Sequence, residues 1–331
     1  MTNNKVEFRS AFAPFMYQLI QLKSKAGQEC LWYIKCFKEL DRFALESALC
    51  EPVFTPELVA VWKSKFINNT SSTIYGKLTV WAILARYINR NGYRTYIPSL
   101  LKKEPKTFVP YIFTQEEMAR IFSTCDNWQL KTNHIHSIQF IMPALIRLLY
   151  ATGLRISEAL SLRNQDINKE DRYVHVWKTK NGTDRIVPIS ESMIYVLSEY
   201  EEYRNKLPLE SVDSPDSRFF IKPDGEFVSS ASVYKRFREI LEKCKIPRRG
   251  KGCGPRVHDL RHTFAVHSMV QLCREGKDLY TAMPVLSAYL GHKCLLSTEM
   301  YVRLTTAMYP ELERQVSPIN AFVYPKIVRH E

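Results

Sequence analysis

His258-Asp259-Leu260-Arg261-His262 is the stretch whose reading decides this chain. His258 and Arg261 are three residues apart, so on a helix they share one face, and His262 follows one turn after His258. About thirty residues downstream comes Leu290-Gly291-His292, and nine residues after His292 comes Tyr301. Upstream lies Ala151-Thr152-Gly153-Leu154-Arg155-Ile156-Ser157-Glu158. In order along the chain these boxes supply arginines, histidines and one tyrosine. Two guanidiniums can grip phosphate oxygens bidentately. Imidazoles move protons near neutral pH, and a tyrosine hydroxyl can serve as a covalent nucleophile. Unaided, a phenol of pKa about 10 is a poor nucleophile at neutral pH, so Tyr301 is a candidate only in company with the arginines and a base. A His-x-x-x-His pair can also bind zinc. Here no glutamate lies between the histidines and Arg261 would set a cation beside the metal, so no metal site is expected.

The surrounding segments give these boxes a scaffold. Thr114-Gln115-Glu116-Glu117 has the form of a helix N-terminal cap. Ala144, Leu145, Leu148 and Leu149 mark a buried helix that stops at Gly153, which places Arg155 just past a turn and before a short helix starting near Ser157. Tyr173 to Lys180 alternates as a strand does, Asn181-Gly182 is a two-residue hairpin signal, and Asp184 to Ile189 returns as the second strand. Lys180 therefore sits at a hairpin tip, with Lys178 two residues away on the same strand face. A basic stretch, Lys243, Lys245, Arg248, Arg249 and Lys251, leads into the His258 box.

Residues 8–105 read as a bundle of about four or five short helices. Phe15, Leu19, Ile20 and Leu22 form one apolar stripe, and Leu31, Ile34, Phe37, Leu40 and Phe43 form another. Thr55-Pro56-Glu57 is a capped start with proline at the first helical position. A helical repeat from Ile74 to Ile88 ends at Asn91-Gly92. Two prolines and four charges between Lys102 and Pro110 mark a connection, which sets the parts at 8–105, a linker at 106–111, and 112–331. Lys102, Lys103 and Lys106 give that connection a positive charge suited to a phosphate backbone.

The whole chain carries 47 Lys+Arg against 34 Asp+Glu, a formal net charge of +13, over 331 residues. Residues 1–110 hold 16 of the basic and 8 of the acidic residues, so the smaller part is the more basic per residue. That balance points to a polyanionic partner, most often nucleic acid. Eight scattered cysteines form no C-x-x-C pair and read as reduced cytosolic thiols. There is no apolar run of the length a membrane span needs, and no G-x-x-x-x-G-K-[ST] loop.

Together the boxes resemble those of the tyrosine recombinase, or phage integrase, family. Its GLRxSE box reads here Gly153-Leu154-Arg155-Ile156-Ser157-Glu158, its hairpin lysine Lys180, its HxLRH box His258 to His262, and its LGH box with the nucleophile nine residues on reads Leu290-Gly291-His292 and Tyr301. Four boxes in order are far more specific than any one alone. The resemblance covers residues 112–310, and residues 8–105 match the family's core-binding domain in length and helical character. It implies a mainly α fold with a small β-sheet (α+β), in which a SAM-like helical bundle precedes the catalytic domain. The family often has glycine before the hairpin turn and a second lysine after it, where this chain has Thr179 and Thr183.

The resemblance also implies a mechanism. Tyr301 attacks a DNA phosphate to form a 3′-phosphotyrosine and frees a 5′-hydroxyl. Arg155 and Arg261 hold the non-bridging oxygens, His258 takes the tyrosine proton, Lys180 protonates the leaving oxygen, and His292 hydrogen-bonds the phosphate. Glu158 and His262 support the site. Lys178, Arg185, Lys243, Lys245, Arg248, Arg249, Lys251 and the linker lysines contact DNA. No cofactor is needed, because one phosphodiester is exchanged for another. The expected partners are double-stranded DNA sites, with four protomers on two sites and a related recombinase or accessory protein among the options. The expected setting is the bacterial cytoplasm and nucleoid. A type IB topoisomerase and a regulator that has lost its chemistry are the rival readings. Two further expectations follow: Arg261 to Leu290 exceeds that of compact members, with residues 275–281 as an exposed excursion, and the apolar tail of residues 311–331 needs burial, which the resemblance places on a neighbouring protomer, with packing in cis as the alternative.

Overall fold

The computed structural model describes residues 7–65, 70–100, 109–128, 136–177, 184–248, 250, 254–292 and 294–309. The chain divides into two compact units, Met1–Thr107 and Phe108–Glu331. The hairpin tip with Lys178 and Lys180, Arg249, Lys251, Lys102, Lys103, Lys106 and the tail at 311–331 fall outside the described residues.

Among the described residues of the first unit there are four helices: α1 (Ala13–Lys25), α2 (Leu31–Glu46), α3 (Pro56–Lys65) and α4 (Ser71–Arg90). Their apolar stripes meet in a core of Phe12, Met16, Phe37, Leu40, Trp62, Leu78, Trp81, Leu84 and Ile88. The Trp62 and Trp81 rings lie 4.6 Å apart at its centre. The Thr55 hydroxyl accepts from the Leu58 amide at the start of α3, and α4 ends at Asn91 with Gly92 at φ +94°. Both boundaries match the punctuation in the sequence. The buried Asp41 carboxylate accepts from the backbone amides of Arg9 and Ser10, which ties the segment before α1 to α2.

The second unit is helical around one small sheet. It contains α5 (Gln115–Asp126), α6 (Met142–Thr152), α7 (Ile156–Ser161), β1 (Ile167–Asn168), β2 (Tyr173–Val176), β3 (Arg185–Pro188), α8 (Glu191–Asn205), α9 (Ser230–Lys243), α10 (Val257–Arg274), α11 (Leu279–Leu290) and α12 (Leu296–Met308). Thr114 and Glu117 form the capping box of α5, each accepting from the other's backbone amide. The sheet is antiparallel in the order β1-β2-β3, with Val174 opposite Val187. Among the described residues the pairing of β2 and β3 runs from Tyr173 opposite Pro188 to Val176 opposite Arg185. A two-residue strand such as β1 is too short to show any alternation, so it leaves no trace in the sequence pattern.

Helix α10 is central, packing against α6, α9, α11 and α12. Gly153 ends α6 in the left-handed region at φ +60°, and a Cβ there would stand 2.5 Å from the Phe264 ring of α10 and 2.9 Å from Leu290 of α11. Only glycine allows both the turn and this approach. Within the expected excursion at residues 275–281, Glu275, Gly276, Lys277, Tyr280 and Thr281 are exposed, Glu275 to Asp278 turns the chain, Asp278 caps α11 by accepting from the Tyr280 and Thr281 amides, and Leu279 is buried. The apolar faces of α10 and α11 form a core with Val302 of α12. No helix among the described residues is long and apolar enough to cross a membrane.

Candidate active site

Arg261 is the hub. It is 2% exposed, yet its guanidinium donates to the carbonyls of Gly153 and Leu290, each at 2.7 Å. These carbonyls lie at the C-terminal ends of α6 and α11, where backbone acceptors lack a helical partner and the helix dipole is negative. Both helices close on a left-handed glycine, Gly153 and Gly291. The two glycine boxes are therefore the seats of one arginine. Burial and the nearby Arg155 lower its pKa to about 10, so it stays charged at neutral pH.

Arg155 stands at the N-terminal cap of α7. Glu158, one turn on, accepts from its backbone amide at 2.9 Å and from its Nη1 at 2.8 Å. Glu158 also accepts from both terminal nitrogens of Arg185, at 3.3 and 2.8 Å. Burial alone would raise the Glu158 pKa, but the hydrogen bonds and charges of Arg185 and Arg155 prevail and hold it at about 2.

Arg185 corrects an expectation. It is 10% exposed, bound to Glu158, and donates through Nε to the Tyr289 carbonyl at 3.0 Å, so its guanidinium is taken up by protein partners. Its guanidinium also lies over Gly291, where a Cβ would come within 3.1 Å of Nη1. It thus ties β3 and α7 to the end of α11. Sequence reasoning missed this role because residue order does not say which strand face meets a carboxylate.

Tyr301 lies within α12 and is 2% exposed. Burial raises its pKa, and the positive charges of Arg261 and Arg155 oppose that rise. His292 lies against it, with ring centroids 6.1 Å apart and planes 18° apart. The His292 Nδ1 is 2.8 Å from the Thr298 hydroxyl, a partner that no box announced. The nearest imidazole contact to the tyrosine oxygen comes from His262, whose Nδ1 is 2.9 Å from the Tyr301 hydroxyl. His258 instead meets the His262 ring, 4.8 Å away and nearly perpendicular.

All three histidines have lowered pKa values: His258 and His292 at about 4, His262 at about 3. For each, desolvation by surrounding protein is the first cause, although the His258 side chain is exposed; Arg261 follows for His258 and His292, and His258 followed by Arg256 and Arg261 for His262. Three guanidiniums face one carboxylate here, and the imidazoles stay neutral at pH 7. Such a site is short of negative charge and suits an anion, whose growing charge in a transition state it would stabilise without reorganisation.

Of the other basic residues expected on DNA, Lys243, Lys245 and Arg248 are the described ones. Lys243 is exposed, with its ammonium 4.9 Å from the Trp128 ring centre, and Lys245 and Arg248 are exposed near it. Among the described residues no group of three or more His, Cys, Asp or Glu lies together as metal ligands would.

A buried tyrosine within reach of two arginines and an imidazole, on a helical domain with one small sheet, defines a tyrosine recombinase. Residues 112–308 match the phage integrase family, more than half of the chain, and the chain belongs to that family. Site-specific DNA recombination is accordingly its activity class. Tyrosine recombinase XerC of Oceanobacillus iheyensis is 31% identical over 232 residues, covering 69% of each chain. A Sinorhizobium fredii protein described as an integrase/recombinase, y4rB, is 26% identical over 84% of this chain and 88% of its own. Two solved structures share the fold. The XerH recombinase bound to palindromic difH substrate, post-cleavage, has a TM-score of 0.61 at 17% identity, covering 94% of this chain and 97% of that one. The Tn1549 transposon integrase with transposon right end DNA has a TM-score of 0.62 at 18% identity, covering 92% and 99%.

Proposed function

We propose that Tyr301 is the nucleophile that cuts and rejoins DNA, acting on a phosphate held between Arg155 and Arg261. The observation that carries this reading is the gathering of Arg155, Arg261 and His292 around one buried tyrosine from distant parts of the chain. The tyrosine oxygen attacks phosphorus, the 3′ end stays on the protein, and the 5′ oxygen leaves as a hydroxyl. Arg155 and Arg261 balance the charge that builds on the non-bridging oxygens, and His292 adds a hydrogen bond. His258 borders this cluster as a proton-handling group. Lys180 is the general acid for the leaving oxygen. Glu158 and Arg185 position Arg155. A 5′-hydroxyl of the partner strand then reverses the step.

The partner is double-stranded DNA with specific sites. XerH and the Tn1549 integrase are described with their DNA, and a lambda integrase with similar fold is described as a dimer bound to a core site. By analogy, four protomers act on two sites, with the 311–331 tail docking between protomers. Residues 8–105 form a core-binding domain that grips DNA together with residues 112–331, and Lys178, Lys243, Lys245, Arg248, Arg249, Lys251, Lys102, Lys103 and Lys106 contact the backbone. The biological setting is a mobile element, by integration or transposition, with dimer resolution second. The place of action is the bacterial cytoplasm, at the nucleoid.

Covalent trapping tests this. Wild type and Tyr301→Phe are expressed beside their native flanking DNA, stopped with SDS, and protein-linked DNA is recovered and sequenced. Adducts at a discrete site in the wild type alone support the reading. Equal, negligible recovery from both, persisting when flanking DNA is supplied in vitro, overturns it.

A further inference from the structure

His262 is a buried imidazole one turn beyond His258, and its Nδ1 stands 2.9 Å from the hydroxyl oxygen of Tyr301. His258, to which family resemblance gives the tyrosine proton, reaches the His262 ring instead. We propose that His262, rather than His258, takes the proton of Tyr301 as the tyrosine attacks, an assignment that rests on the function proposed above. For Nδ1 to accept, His262 is neutral with its hydrogen on Nε2. As the bond from the tyrosine oxygen to phosphorus forms, the phenolic proton passes to Nδ1. The bond from phosphorus to the 5′ bridging oxygen breaks with its electron pair on that oxygen, which takes a proton from the general acid. Rejoining returns each proton.

The surroundings make this base depend on DNA. His262 is faced by His258, Arg256 and Arg261 from its own helix, by His292 from the end of α11, and by Tyr301 from α12. With the site empty, burial and this positive company keep the imidazole neutral and weakly basic. A phosphate between Arg155 and Arg261 offsets their charge, and the transition state adds more negative charge. The basicity of His262 therefore rises as the site fills.

The test uses a nicked duplex carrying the cleavage site found by covalent trapping, with single-turnover adduct formation followed against pH. His262→Asn keeps a polar group near the Nδ1 position but cannot take the proton. It should bind the duplex as the wild type does and form adduct about 100-fold more slowly at neutral pH, the range general-base loss produces. The deficit should shrink as pH rises toward the phenol pKa, and a fluorinated tyrosine of lower pKa at position 301 should restore much of the rate. A 5′-bridging phosphorothiolate, which relieves the need for a general acid, should not rescue it. Wild-type rates for His262→Asn, or a deficit that pH and fluorination leave unchanged, overturn the assignment. So does a His258→Asn variant that alone shows the alkaline rescue. A wild type that forms no adduct instead removes the functional reading itself. If His262→Asn fails to fold, nitrogen-15 shifts decide: replacing Tyr301 by Phe should move the His262 Nδ1 resonance, and an unmoved resonance rejects the contact.

Discussion

The core of the first unit and the candidate site of the second bury different things. The centre of the first is apolar, with Trp62 and Trp81 in contact among phenylalanines and leucines. The second unit has an apolar core of its own, around Leu145, Leu149 and Leu260, but its candidate site is polar: Arg261, Glu158, His262 and Tyr301 are each under 9% exposed, with Arg261 bonded to helix-end carbonyls, Glu158 to Arg155 and Arg185, and His262 to Tyr301. Apolar burial stabilises almost regardless of detail, at about 25 cal/mol per Å². Polar burial is tolerated only where each group finds a partner, and it converts packing into electrostatic strain on pKa values. The first unit also has no histidine, whereas the second has all eight. The two halves should therefore answer differently to the same insult.

The largest effect expected is on chemistry in the second unit. Tyr301→Phe removes the nucleophile and should leave no detectable adduct, while a melting scan should show a loss of only about 1 kcal/mol, the net worth of one hydrogen bond. Next comes the first unit, where Trp81→Ala should cost about 3–5 kcal/mol, read as a lower urea midpoint. A smaller loss would mean that the tryptophan pair is loosely packed, which would weaken the contrast.

Acid should separate the units more gently. His258, His262 and His292 have folded pKa values of about 4, 3 and 4 against an ordinary 6.5. Below 6.5 the unfolded chain binds protons that the folded site refuses, so stability falls from pH 6.5 down toward pH 4 and is restored on raising the pH. Glu158 adds a second decline between its ordinary 4.5 and its folded value of about 2, as its ion pairs with Arg185 and Arg155 are lost. Tryptophan fluorescence for the first unit, read with Trp128→Phe and Trp177→Phe in place, and adduct-competent fraction for the second, from pH 7.5 to 4, should part company; a joint decline would mean that the units unfold together. The smallest effect is Thr298→Val, which removes the His292 partner and should cost about 1 kcal/mol, with adduct formation slowed modestly at unchanged DNA affinity.

Much of the site is legible in the sequence because its boxes are local. A capping box is written in Thr114 and Glu117, a helix end in Gly153, and a shared helix face in the three-residue step from His258 to Arg261. The misreadings come from distance. Arg185 reads as one more basic residue until Glu158 is placed beneath it. Thr298 has no signal at all.

The sequence by itself determines the helices, their caps and the order of the chemical groups, since these follow from steps of three and four residues and from glycine's freedom at two left-handed turns. Tertiary structure alone decides which group touches which. It seats Arg261 on the ends of α6 and α11, turns Arg185 inward, and gives the Tyr301 hydroxyl to His262 rather than His258. The physical reason is that such contacts join residues far apart in the chain, and their partners are fixed by how the helices pack.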